Sequence, residues 1–393
     1  MAPPANRDLN RLTLHVALQQ LVWSVADGFS AAFLFRQGLT PAAIYLAAAV
    51  VFALRFLLRP AVLAVVRWTG LKAALILGVA LSALQAMLLA FVHRIDGALA
   101  AYLTVAALAE VFYWPTYHAM FATVGDAEKR GAQVGLRQAL IATAGIAGPA
   151  AGGLALTFGG PKLAFGAAAA VALIAIAPLL GCADHPIAPT APPGAYRGAR
   201  RGALLFVTDG WITSCVAWAW GLVVFQSLGA RFDAFGGAMA AAALAGAVGG
   251  LILGRSIDAG GARRAVWINA LVLTTTILAR ALCGQQPIAV LSVAIGAALL
   301  GGLYTPSLMT AIYNEAKASP CPLRYHLALE AGWDGGAILA CLAAAAVLSF
   351  GASLQLVIVM ALPPIALQAW NLRASYAAVR GEIEALGSRT QIL

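Results

Sequence analysis

Twelve apolar stretches of about twenty residues follow one another along this chain, and a run of that length crosses the ~30 Å hydrocarbon core of a bilayer as a helix. They cover 12–35, 42–66, 72–92, 98–123, 134–158, 162–182, 203–228, 234–256, 265–283, 287–313, 325–349 and 353–373. Inside lipid every backbone N–H and C=O must be satisfied by the chain itself, which leaves helices or a closed barrel. The apolar–polar alternation of barrel strands is absent. The expected fold is therefore all-α and polytopic, with twelve transmembrane helices. Composition agrees: only 10% of the 393 residues are charged, against about 25% in a soluble domain.

The formal net charge of +10 would point to nucleic acid in a soluble protein. Here the distribution of the basic residues explains it. If the N-terminus is cytoplasmic and the spans alternate, 18 of the 25 Lys and Arg fall on or near the inside and 5 on or near the outside. Arg55 and Arg59 remain within the second span. The excess fixes the orientation, with both termini cytoplasmic in the plasma membrane and no nucleic-acid partner. No cleavable leader is apparent, because the apolar run after Arg7 and Arg11 continues to full span length. The five cysteines form no CxxC pair and read as small residues within apolar runs.

The connections are short except 183–202, which is rich in Pro and Gly and carries Arg197, Arg200 and Arg201. It reads as a cytoplasmic linker between residues 1–182 and 203–393, each holding six spans. The two parts repeat. Gly38 and Gly229, Gly70 and Gly261, and Pro115 and Pro306 are each 191 residues apart. A constant offset through four spans predicts two parallel six-helix repeats.

The stretch Gly131 to Gly153 is apolar yet dense in Gly, with Pro149 inside it. In water a helix so composed would be weak, since Gly costs up to ~1 kcal/mol against Ala. In lipid it persists, bends at the proline and lets a second helix approach closely. The pattern Gly135, then Gly148-Pro149-Ala150-Ala151-Gly152-Gly153, resembles the fifth-helix antiporter motif of the major facilitator superfamily, with Ala144 at its middle glycine. Gly254 to Arg264, containing Asp258, Arg263 and Arg264, resembles that family's acidic–basic cytoplasmic loop. The equivalent first-half loop departs from the pattern, with Arg67 at the acidic position. The resemblance implies two bundles that rock about a central cavity. It casts Gly148, Pro149 and Gly152 as a sliding face, and Asp258, Arg263 and Arg264 as a gate latch.

Charged groups inside a span cost ~2.5–3.5 kcal/mol and should face a partner or a cavity. Asp27 lies deep in span one, on one face with Gln20, Trp23 and Ser24. It either lines the transport path or pairs with an arginine of span two. Glu110 shares its face with Tyr113 and Tyr117, beside Trp114 and His118. That pattern suits a cationic or aromatic ligand, or else a buried acid tied to Arg55 or Arg137. Span seven sets Trp211, Cys215 and Trp218 on one face, and Asp209 is read as solvated or capping. Span eleven holds His326, Glu330 and Asp334 at steps of four, a face that could relay protons or hold a divalent metal. The resemblance adds Tyr304 to the cavity-lining candidates. No nucleotide-binding loop, HExxH or nucleophile motif is present in the sequence.

The expected protein is thus a monomeric transporter without a cofactor and not an enzyme. It would move a small molecule, with Gln20, Trp23, Asp27, Glu110, Tyr113, Tyr117, Trp211, Trp218 and Tyr304 as substrate contacts. Asp27, Glu330 and Asp334 are the proton-coupling candidates. The resemblance favours proton-coupled export; uptake of a metabolite, transport of a divalent metal ion, and a receptor or embedded enzyme on the same scaffold are the alternatives.

Overall fold

The computed structural model describes residues 7–124, 130–185, 187–188, 190–257, 262–301, 308–309, 312–313, 315–316 and 319–374, with the side chains of 130–138, 251–257 and 262–265 excluded. The described residues are helical and contain no strand. In chain order the helices are α1 (Arg7–Arg36), α2 (Pro41–Thr69), α3 (Leu71–Leu89), α4 (Gly97–Val124), α5 (Arg130–Leu154), α6 (Gly160–Ile174) and α7 (Ile176–Leu180). After the linker come α8 (Ala199–Ser227), α9 (Phe232–Ile257), α10 (Ala262–Leu282), α11 (Pro287–Gly301), α12 (Pro322–Ser349) and α13 (Leu354–Val359). A π-helical turn, Ala155–Gly159, joins α5 to α6.

Eight described stretches are long and apolar enough to cross a membrane, and Val266–Leu282 and Pro287–Gly301 are shorter apolar helices. The protein is a multi-pass membrane protein. The eight do not include α1, although its 30 residues are long enough. Asp8, Arg11, His15, Gln19, Gln20 and Asp27 make it the most polar of the long helices of the first half.

Local chemistry explains the boundaries. The Thr40 hydroxyl accepts from Ala43 N, and Pro41 follows at the first helical position, where its missing N–H costs nothing. Gly38 and Gly229 sit at φ 92° and 71°, ending the helices before them in a conformation that glycine alone adopts freely. That pair is one of those spaced 191 apart.

The helix ends collect into two levels. At one, the near end, Asp8 accepts from Ala183 N, Lys72 Nζ donates to Cys182 O, and Arg11 donates to Gly181 O. At the other, the far end, Arg36 Nη1 donates to Ala230 O at 2.7 Å and Asp233 N donates to Thr157 Oγ1 at 3.0 Å. Phe29, Phe225, Phe232 and Phe235 interlock there, with Phe29 meeting Phe235 edge to face at 5.3 Å.

Helices from before and after the linker meet along two main seams, α5 against α9 and α2 against α12. The first is backbone on backbone: a Cβ on Gly153 would lie 2.5 Å from Phe232 O, and one on Gly236 would run into Pro149 O. The second is built on charge.

Candidate functional site

Arg55 and Arg59 are one turn apart on α2, and Glu330 and Asp334 are one turn apart on α12. Two pairs of that spacing on facing helices present complementary charge to each other. Arg55 Nη2 lies 2.9 Å from Asp334 Oδ1 and 3.6 Å from Glu330 Oε2. Arg55 Nη1 donates to Glu110 of α4, and Arg59 Nη2 donates to Asp334 Oδ2. His118 Nε2 of α4 is 3.8 Å from Glu330 Oε1. The Arg55–Asp334 contact through Oδ1 is an ion pair out of line with an N–H, since Oδ1 accepts no hydrogen bond.

The cluster is dry. Exposure is 3% for Arg55, 4% for Arg59, 5% for Glu330 and 0% for Asp334. Charges so placed persist only when paired. Aromatic rings close the site: the Arg55 guanidinium lies over Phe52 at 5.4 Å and over Trp333 at 5.2 Å. Phe52 also meets Trp218 of α8 edge to face at 6.5 Å. Trp333 Nε1 donates to Asp209 Oδ2 at 2.9 Å, and Asp209 is half-buried.

Below the cluster, toward the near end, His118 and His326 stack with centroids 5.1 Å apart, and His118 Nδ1 contacts the Tyr313 hydroxyl at 2.7 Å. His326 is 0% exposed, and neither ring nitrogen has a hydrogen-bond partner. Arg55 Nε, Arg59 Nε and Arg59 Nη1 are likewise buried donors without a partner.

The sequence-derived candidates divide. Glu110, Glu330 and Asp334 meet in the cluster, with Trp218 at its edge. Asp27 stands apart and accepts from Gln85 Nε2 of α3 at 2.8 Å; that partner is an amide rather than an arginine of α2. Gln20 donates to Ser24 at 3.3 Å, and Trp23 stacks on Trp114 at 4.8 Å. Tyr113 turns toward α1, 3.1 Å from His15 Nε2, and Tyr117 stacks on it. Trp211 donates to Met360 O at 2.7 Å and so fastens α8 to the C-terminal span.

Of the sliding face, Gly148 and Gly152 pack against Ser24 and Val25 of α1, whereas Pro149 faces α9. Tyr304 and Asp258 lie outside the described residues, as do the side chains of Arg263 and Arg264. Among the described residues no group of three or more His, Cys, Asp or Glu could hold a metal ion. The Asp334 carboxylate of the proposed metal face is turned to the arginines instead. The two arginines at the centre were visible in the sequence only as possible partners; the signal was their spacing of four, which matches that of Glu330 and Asp334.

A family model described as Major Facilitator Superfamily matches residues 12–320. No curated protein sequence matches the chain. Among solved structures, the human organic anion transporter MFSD10 (TETRAN) superposes with a TM-score of 0.65 at 15% identity, covering 94% of this chain and 100% of that one. A point mutant of the nucleoside transporter NupG gives 0.64 at 14% identity, with 94% and 100% covered. The POT family transporter PepTSo gives 0.70 at 12% identity, with 95% and 99% covered. Such identities carry the fold alone.

Proposed function

This chain belongs to the major facilitator superfamily, and from that premise we propose that it is a proton-coupled secondary transporter of a small molecule whose coupling site is the cluster joining α2, α4 and α12. Twelve spans in two six-helix halves, 1–182 and 203–393, rock about the cluster, with both termini in the cytoplasm of a plasma-membrane protein that acts as a monomer. The named neighbours, transporters all, support the transporter class.

One observation carries the coupling. Three carboxylates face two guanidinium groups, and of these five side chains only Glu110, 26% exposed, is not buried, so one negative charge is left over. Burying it unpaired is costly, and one proton removes the cost. Glu330 is its place, because its contacts, at 3.6 and 3.8 Å, are the longest of the three acids. The closed cluster is neutral with Glu330 protonated. Losing the proton favours opening, which lets water reach the charge. Asp27, hydrogen-bonded to Gln85, ranks second as a proton carrier. The loop around Asp258, Arg263 and Arg264 latches the cytoplasmic side, and Asp258→Asn slows transport without lowering expression.

Direction has two readings. The fifth-helix pattern supports export in exchange for protons. The arginines support uptake together with protons, since protonating an acid frees a cation to hold an anion. The test is a pH step across sealed vesicles of known orientation, with a panel of solutes. Exchange for protons accumulates solute on the more acid side, and cotransport on the more alkaline side. Glu330→Gln should lower the pH-driven accumulation and spare solute exchange. Undiminished accumulation in that variant removes Glu330 as the carrier.

A further inference from the structure

Arg59 uses one of its three guanidinium nitrogens: Nη2 meets Asp334, while Nε and Nη1 are buried without a partner. Arg55 leaves Nε unused in the same way. Asp334 therefore touches each arginine at a single nitrogen, one oxygen to each. A guanidinium fork is built for two parallel bonds to a planar carboxylate, and the half-used forks are short of acceptors. His326, wholly buried one turn from Glu330, adds a ring with both nitrogens unpartnered. Buried donors without acceptors are rare because each costs the desolvation of that group. Phe52 and Trp333 wall the Arg55 guanidinium with flat apolar surface, which an organic body would cover.

We propose that Arg55 and Arg59 are the substrate-anion site, taking the carboxylate of an organic acid in place of Asp334. The inference rests on the transporter reading and names its substrate class. When the substrate carboxylate takes both forks, Asp334 is left without its cations and accepts a proton from solvent on a carboxylate oxygen. Each monocarboxylate thus binds with one proton, and the cluster stays neutral. The charged and titratable groups around Asp334 are Arg55 and Arg59 from α2, Glu110 and His118 from α4, Glu330 and His326 on its own helix, and Asp209 of α8 through Trp333.

The test is thermal stabilisation of the purified full-length protein by benzoate, 4-phenylbutyrate and succinate, against benzamide, benzylamine and inorganic phosphate. Carboxylates should stabilise and the amide and amine should not. Because one proton binds with each monocarboxylate, the apparent Kd for benzoate should tighten by up to about tenfold per unit as the pH falls from about 8 to about 6. Arg59→Lys keeps the charge and loses the fork, so it should fold yet bind benzoate about tenfold or more weakly. Stabilisation by benzylamine but not benzoate overturns the anion site, as does stabilisation by none of the carboxylates. An Arg59→Lys variant that binds like the parent overturns it too, and phosphate matching benzoate overturns the organic acid. Each of these leaves the transporter reading standing, since that reading fails only if the pH step moves no solute at all.

Discussion

The two seams that join the first and second halves of the sequence are built from opposite materials. Along α5 and α9 the contact is shape: Gly153 and Gly236 bring two backbones together, and nothing titrates at the point of approach. Along α2 and α12 the contact is charge, with Arg55 and Arg59 set against Glu330 and Asp334. A glycine seam depends on fit and is indifferent to pH. An ion-pair seam in a dry site depends on every partner being present in the right protonation state. In the proposed cycle the first surface slides and the second senses the proton.

The contrast breaks most easily at Asp334. Asp334→Ala leaves two buried guanidinium groups short of an anion and should cost ~3–5 kcal/mol of stability, read from unfolding in detergent. Adding Arg59→Gln should recover part of that loss, because the excess charge falls. Additive losses in the double variant would mean that the two side chains do not share an interaction. Gly236→Leu should cost ~1–3 kcal/mol through overpacking against Pro149 and Gly153. Its loss should be the same at acid and alkaline pH, and a pH-dependent loss would erase the distinction between the seams. The smallest effect is expected for Trp333→Phe, which removes the bond to Asp209 and should cost ~1 kcal/mol.

Much of the fold was legible because lipid imposes a simple rule, and apolar length alone marks most spans. The polar groups of α1 are paired within the bundle, since Asp27 finds Gln85 and Gln19 finds Ser82 on α3. The site was legible only in part. Charges inside spans had to have partners, so Glu110, Glu330 and Asp334 stood out. Which helix supplied the partners was not readable, because periodicity orders residues within a helix and says nothing of which helices touch. Tyr113 and Trp211 show the same limit. Both have the chemistry of a binding residue, and both spend it on neighbouring helices, at His15 and at Met360 O. Gly148 and Gly152, about one turn apart, share a face and pack on α1, while Gly153, about 100° further round the helix, meets α9.

The central claim is that the proton on Glu330 decides whether the α2–α12 seam is closed. Spin labels at Trp68→Cys on α2 and Arg200→Cys on α8, both exposed at the near end and placed in a background without the native cysteines, report the separation of the two halves. The account predicts that the wild-type seam shows one short distance at acid pH and gains a longer population at alkaline pH, while the Glu330→Gln distribution does not change with pH. A distance distribution that ignores pH in the parent, or a Glu330→Gln variant that opens as the parent does, would contradict it.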